Sequence, residues 1–267
     1  MNLSKEGNML SKIAADNLKK DGKVLGEKWF QTYGGWFSDR ENMQIFTDSI
    51  IRGCSLRAQH DLEILYVGSA SGELGEQFVR ALGGGHLTLV DVAEEHLKLN
   101  TNPATTKLCM DVLGMNLNKK FDIVMMRSFL DYFPTMNEQI AVLKVVKEHL
   151  RPGGLFINQP ASIPTAHARN VISRAYCSVP NIGKRLFQSW DIGHLYASAG
   201  LGGAPFIYGD GKIMRITEQD HIARYAITPT DIVTLQTILK DAERSVEITK
   251  NGYTLSFEFP ILAKFVQ

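Results

Sequence analysis

The sequence predicts an α/β fold built on a mostly parallel sheet, and three observations predict it. Apolar runs and helix-patterned segments alternate between residues 61 and 159, the rhythm of successive β–α units. The first run, LEILYV (62–67), is apolar without alternation, as in a parallel strand buried on both faces. That run ends in a turn of small residues, GSASG (68–72), which opens a helix.

In chain order, residues 8–20 place Leu10, Ile13 and Leu18 at near-helical spacing, with Asp21-Gly22 closing the segment. An aromatic piece, WFQTYGGWFSDR (29–40), leads to a helix over 41–53 with Ile45, Ile50 and Ile51 inward and Gly53 at its end. After LEILYV comes a helix of about a dozen residues (72–85) stopped by three glycines. HLTLVDV (86–92), TKLCMDV (106–112) and FDIVMMRS (121–128) read as the next strands. Thr135 and Glu138 form a capping-box pattern that opens a helix over 136–150. Arg151-Pro152-Gly153-Gly154 then turns the chain into LFINQ (155–159).

Residues 160–227 break the alternation. They hold many glycines, a helical piece at HARNVISRAYC (167–177), and PFIYGDGKIMRI (205–216), where Asp210-Gly211 predicts a hairpin turn. Thr228-Pro229-Thr230-Asp231 starts another helix with proline in its first turn. SVEIT (245–249) and ILAKFV (261–266) read as closing strands around a second hairpin signal, Asn251-Gly252.

Composition excludes several classes. A formal net charge of +1 gives no electrostatic footprint for nucleic acid or anionic lipid. The apolar runs fall short of a membrane span, and the N-terminus is too charged for a signal peptide. Cys54, Cys109 and Cys177 are odd in number and far apart, which predicts a reduced, cytoplasmic chain without a zinc site.

The small-residue turn is the first candidate site, because backbone free of bulky side chains can approach a ligand and the helix start offers free N–H groups. It is GxxxG and not GxGxxG, since Ala70 takes the middle place. LTLVDV ends in Asp91, about 20 residues on, the spacing at which an acid reaches ribose hydroxyls. Asp91 either accepts from those hydroxyls or caps the helix AEEHLKL; the turn and the acid together favour a nucleoside ligand.

With these residues in place, 62–157 resembles the core of the class I S-adenosylmethionine-dependent methyltransferases. The resemblance rests on LYVGSASGELG for the first motif, Asp91 for the acid of the second strand, and Asp111 in LCMDV for the acid after the third. FDIVMMRSFLDYF and Leu150-Arg151-Pro152-Gly153-Gly154-Leu155-Phe156 supply the fourth and fifth. Two residues depart from the pattern: Tyr66 stands where the family has an acid, and Ala70 stands for its middle glycine.

The resemblance implies a seven-stranded Rossmann-like sheet, mostly parallel with an antiparallel C-terminal hairpin. It implies an N-terminal helical cap (1–58), a cofactor-binding core (59–159), a lid insertion (160–227) and a C-terminal helix and hairpin completing the core (228–267). S-adenosylmethionine is the implied cofactor and S-adenosylhomocysteine its product. Gly68, Ser69, Ala70 and Gly72 are then expected along the methionine and ribose, Asp91 on the ribose, and Val92 against the adenine. Asp111 and Val112 are expected near the adenine amino group, and Arg127 and Ser128 on the cofactor's other side. Tyr33 either meets the methionine carboxylate or packs.

Methyl transfer from a sulfonium needs alignment first, and a general base only if the nucleophile carries a proton. The acceptor is expected beyond the carboxyl ends of the fourth and fifth strands, at Phe129, Asp131, Tyr132 and Gln159. Trp29, Phe30, Trp36, Phe187, Trp190 and Tyr196 are available for an apolar or aromatic acceptor. His167 and His194, with His221 behind them, are the candidate bases, although a lone histidine can equally be a surface residue. The expected function is O- or C-methylation of a small metabolite, with specialised metabolism as one setting and no nucleic acid, membrane or metal partner. A protein that binds the cofactor without transferring methyl, as a regulator or partner subunit, is the alternative; a cofactor-assisted cyclisation or elimination enzyme is another. Oligomeric state is left open, a homodimer included.

Overall fold

The computed structural model describes residues 35–57, 61–183, 185–188, 192–202 and 205–267. The expected helix over 8–20, together with Trp29, Phe30, Tyr33 and Trp190, lies outside the described residues.

β1 (Glu63–Val67) is central: its last four residues are buried, as expected of a parallel strand covered on both faces. It pairs in parallel with β2 (His86–Asp91) on one side and β4 (Phe121–Arg127) on the other. β3 (Thr106–Cys109) extends the sheet beyond β2, and β5 (Leu150–Gln159) extends it beyond β4, both in parallel. The far edge is made by β6 (Phe206–Asp210) and β10 (Pro260–Phe265), giving the order β3-β2-β1-β4-β5-β10-β6. The expected seven-stranded, mostly parallel sheet is therefore present, with β10 antiparallel to both neighbours.

The connections reverse between β1 and β4, so a crevice opens outside the carboxyl ends of these two strands. α1 (Arg40–Gly53) and α2 (Glu73–Leu82) cover one face through Phe46, Ile50, Leu74 and Phe78. α4 (Met136–His149) and α6 (Gly193–Ser198) cover the other through Val142, Val146, Leu195 and Tyr196. α3 (Glu94–Lys98) is a single short turn after β2.

A second, three-stranded antiparallel sheet, β7-β9-β8, packs with α5 (Ala166–Cys177) and α8 (Pro229–Leu239) in a separate apolar cluster. Its strands are β7 (Met214–Thr217), β8 (Val246–Thr249) and β9 (Gly252–Phe257); α7 (Glu218–Tyr225) follows β7.

Three local expectations are corrected. Asp210-Gly211 is not a hairpin turn, because β6 and β7 join different sheets. The chain is diverted there: Gly211 N–H donates to Phe259 O at 2.8 Å, and Lys212 Nζ pairs with Asp39 at 2.9 Å and Glu41 at 2.6 Å beside α1. The Asn251-Gly252 signal does mark a hairpin, but its arms are β8 and β9 in the second sheet, so no C-terminal hairpin completes the main sheet; β10 alone returns to it. At α4 the Thr135 side chain accepts from Glu138 N–H, yet the Glu138 carboxylate accepts from the Thr135 hydroxyl at 2.7 Å and not from its backbone. Reciprocal capping boxes form at Thr217–Asp220 and Thr228–Asp231, the latter at the helix start expected with proline in its first turn.

Candidate active site

The turn after β1 is built by its small residues. Gly68, Ala70 and Gly72 all have positive φ (65°, 47° and 78°). Ala70 thus occupies the backbone conformation for which the resembled family uses glycine, at a steric cost of order 1 kcal/mol. Gly68 also lies under an aromatic ring: a Cβ there would come within 2.2 Å of Phe129 Cδ2. Gly68 N–H and Ser69 N–H both donate to Val90 O, at 2.8 and 3.2 Å, which fastens the turn to β2.

Asp91 completes that fastening. One carboxylate oxygen accepts from Ala70 N–H at 2.8 Å and the other from Ala93 N–H at 2.9 Å. Burial raises its pKa, and the donated Ala93 and Ala70 N–H bonds oppose the shift. Each oxygen keeps a lone pair for a further donor, so the carboxylate holds the turn and remains available to a diol. The helix-capping alternative is not what forms: α3 has Ala93 at its N-cap with no side-chain bond, and Asp91 fastens the turn instead.

A cavity begins at this turn. Gly68, Ser69, Ala70 and Asp91 line it from β1 and β2, and Arg127 and Ser128 from the end of β4. Ser69 is buried with its hydroxyl unpartnered. Arg127 is 6% exposed; its Nη1 donates to Phe37 O at 2.9 Å, and its guanidinium stacks on Trp36 and Phe37 at 4.8 and 5.0 Å. Its Nε and Nη2 have no hydrogen-bond partner. Burial lowers its pKa to about 10, so it stays cationic at neutral pH. Tyr66 also lines the cavity, and burial pushes its pKa up to about 12, so a neutral phenol replaces the family's acid. Ser128 has positive φ (46°), a second strained residue at the same site.

The cavity continues past β4 beneath the second sheet. Asp131 and Tyr132 lie on its wall. Asp131 forms a buried ion pair with Arg185 at 3.1 Å, and Arg185 stacks over Tyr132 at 4.1 Å. Tyr176, Phe187, Tyr225 and Phe257 supply aromatic wall.

Other expected residues are placed elsewhere. Gly72 does not line the cavity; its missing side chain makes room for Leu89. Val92 is half-buried outside the lining. Asp111 caps a 3-10 turn through Leu113 N–H at 2.9 Å, and Val112 is buried in the core. Gln159 is fully buried and donates to Phe259 O at 3.2 Å, away from the cavity wall. Tyr196 packs on Phe156 in the core. His167 and His194 are exposed and line no part of the cavity; His167 Nε2 instead meets Asp241 O at 2.9 Å.

His96 lines the nucleotide end of the cavity, and His221 lies behind the acceptor-end wall in contact with the lining residue Tyr176. Fully buried, it sits between Tyr176 OH, 2.8 Å from Nε2, and Tyr253 OH, 2.7 Å from Nδ1. Burial pulls its pKa down to about 3, so at neutral pH it is an uncharged imidazole that donates to one tyrosine and accepts from the other. Sequence reasoning missed Tyr176, Arg185, Arg224 and Tyr225, and no local pattern marks them. On the nucleotide side it missed Ala93 and His96, whose only signal was proximity to Asp91.

Residues 65–156 match the family of methyltransferase domains. The sheet order and the turn described above surround these residues with the methyltransferase fold. Among solved structures it is similar to the YcgJ protein from Bacillus subtilis, with 15% identity and a TM-score of 0.63 over 83% of this chain and 97% of that one. It is also similar to the N-methyltransferase NodS from Bradyrhizobium japonicum WM9 bound to S-adenosylhomocysteine, with 12% identity and a TM-score of 0.52 over 91% and 97%. Magnesium protoporphyrin IX methyltransferase from Synechocystis PCC 6803, also bound to S-adenosylhomocysteine, matches with 15% identity and a TM-score of 0.51 over 94% and 99%. These likenesses establish a shared fold. No curated protein matches the chain.

Proposed function

We propose that this protein transfers a methyl group from S-adenosylmethionine to oxygen or carbon of a small metabolite with an apolar or aromatic body. The observation that carries the reading is one continuous cavity, running from the glycine turn and Asp91 to an aromatic chamber beneath the second sheet. A cofactor at one end and an acceptor at the other would share that space.

The residues present suit the cofactor. The turn offers close backbone approach, Ser69 a buried unpartnered hydroxyl, and Asp91 spare acceptor capacity for ribose hydroxyls. Arg127 offers two unpartnered donor nitrogens to a carboxylate at the methionine end. When bound, S-adenosylmethionine supplies an electrophilic methyl group. The chain's part is to align the acceptor with that methyl and exclude water, an effect worth roughly 7–11 kcal/mol. The segment 160–227 would then serve as the acceptor-side lid on the core 59–159. We place the activity in the cytoplasm, in biosynthesis. No described helix is long and apolar enough to cross a membrane.

The test is S-adenosylhomocysteine formation with mixed phenols, acids and activated-methylene compounds, read by mass spectrometry of both products. Acceptor-dependent turnover is expected. Tight cofactor binding with no turnover across the panel would support the non-methylating alternative instead.

A further inference from the structure

A line of three polar side chains runs from the acceptor end of the cavity into the second apolar cluster. Tyr176 lines the cavity, its hydroxyl meets His221 Nε2 at 2.8 Å, and His221 Nδ1 meets Tyr253 OH at 2.7 Å. The three come from α5, α7 and β9, and all are buried. Ring centroids 5.3 Å apart for Tyr176 and His221, and 5.6 Å apart for His221 and Tyr253, hold the line by packing as well. Phenylalanine and leucine would fill the same space without the cost of burying polar groups.

Such a line can carry a proton. A neutral imidazole has one N–H and one bare nitrogen, so it donates to one tyrosine and accepts from the other. With Nδ1–H donating to Tyr253, Tyr176 donates to Nε2, and the Tyr176 oxygen is left to accept from a donor in the cavity. A proton delivered there displaces each of the next in turn, and the imidazole ends neutral in its other tautomer. Asp220 on the same helix favours a charged His221, while Arg185 opposes one and burial outweighs both. The ring is therefore suited to passing a proton on and not to keeping it. At the far end, the Glu218 carboxylate lies against Gly252, and its charge acts on Tyr253.

We infer that the methyl acceptor is a hydroxyl compound whose O–H donates to the Tyr176 oxygen, and that Tyr176, His221 and Tyr253 carry its proton out of the cavity. This narrows the methyl-transfer reading and rests on it. In the step, a lone pair of the acceptor oxygen forms the O–C bond as the C–S bond breaks and its electron pair stays on sulfur. The acceptor proton passes to Tyr176, that of Tyr176 to Nε2, and the Nδ1 proton to Tyr253. Tyr253 gives its own to Glu218, directly or through water. Positive charge brought in on the sulfonium thus leaves the buried space with the proton. Tyr176 is the catalytic residue; His221 and Tyr253 act through it.

Two measurements on the full chain test this. In thermal unfolding with saturating S-adenosylhomocysteine, 4-propylphenol is expected to raise the midpoint more than 4-propylanisole, which lacks the O–H. Tyr176→Phe should erase that difference. In turnover with S-adenosylmethionine, His221→Gln keeps a donor and an acceptor in the line but not the relay. It should lower kcat for 4-propylphenol about 100-fold or more, with KM little changed. The variant's rate should climb about tenfold per pH unit as the phenol ionises in solution, while the wild-type rate stays flat. With 4-nitrophenol, already ionised at mildly alkaline pH, the two proteins should turn over alike. A merely structural histidine would lower the rate for both phenols equally at every pH.

Equal midpoints with the phenol and the ether, or equal losses on both phenols in His221→Gln, would overturn the inference. It is also overturned if amines or activated-methylene compounds turn over and no hydroxyl compound does; the methyl-transfer reading then stands without it. If S-adenosylhomocysteine gives no midpoint shift, the methyl-transfer reading fails and the relay fails with it. The phenol–ether comparison in its absence still decides whether Tyr176 holds a hydroxyl. Should His221→Gln not fold, Tyr176→Phe carries the same comparison of the two phenols.

Discussion

Asp91 at the end of β2 accepts a hydrogen bond from Ala70 N–H at 2.8 Å, so the acid of the second strand is a structural member of the turn after the first. Its other oxygen accepts from Ala93 N–H at 2.9 Å. Asn at position 91 has only one acceptor oxygen for two N–H donors. Asp91→Asn is therefore expected to cost roughly 1–3 kcal/mol in urea unfolding and to weaken S-adenosylhomocysteine as well. Loss of ligand affinity at unchanged stability would show that the turn does not depend on this carboxylate.

Ala70 holds a positive φ of 47° that glycine adopts freely. Ala70→Gly should leave the unfolding midpoint unchanged or raise it, with S-adenosylhomocysteine affinity retained. Ala70→Val, with a β-branched side chain in that conformation, should lower stability by more than about 1 kcal/mol. A destabilised Ala70→Gly protein would contradict the observed turn.

Gly68→Ala faces both a φ of 65° and a Cβ 2.2 Å from Phe129 Cδ2. A loss of about 2–4 kcal/mol and of cofactor binding is expected. Adding Phe129→Leu should return part of the stability, since it relieves the clash but not the strain, and a double-mutant cycle measures that coupling. Strict additivity would mean that the ring is not what excludes the methyl group.

His221 has a pKa lowered by burial from 6.5 to about 3 in the folded state. Its contribution to stability is therefore fully present above 6.5 and declines as pH falls towards 3, because the unfolded chain takes up a proton that the folded chain refuses. The limiting slope is about 1.4 kcal/mol per pH unit. His221→Gln keeps a donor and an acceptor between Tyr176 and Tyr253 and should remove that share of the acid sensitivity. Identical pH profiles for the two proteins would contradict a neutral buried imidazole.

The parts of the site readable from sequence are those set by short-range chemistry. LEILYV, the GSASG turn and Asp91 lie within one β–α–β unit, where spacing along the chain fixes spacing in space. The acceptor end is different: Asp131 was named from the sequence, but Tyr176, Arg185 and Arg224, which line the cavity with it, come from separate segments that only tertiary packing unites. Asp210-Gly211 shows the limit of local turn signals. Its backbone was free to form a hairpin, but hydrogen bonds to Phe259 and contacts with α1 sent the following strand into another sheet. Tyr66 was legible as a departure, while its place in the cavity wall was not.

The central claim is that the turn, Asp91 and Arg127 form a site for S-adenosylmethionine and its product. The most direct measurement is thermal unfolding with S-adenosylhomocysteine, with NAD as the control nucleotide. At about 100 times its dissociation constant, a ligand that binds only the folded chain adds roughly 2.7 kcal/mol of stability. The account predicts a raised midpoint with S-adenosylhomocysteine, none with NAD, and loss of the shift in Asp91→Ala. No shift with S-adenosylhomocysteine, or an equal shift with NAD, would contradict it.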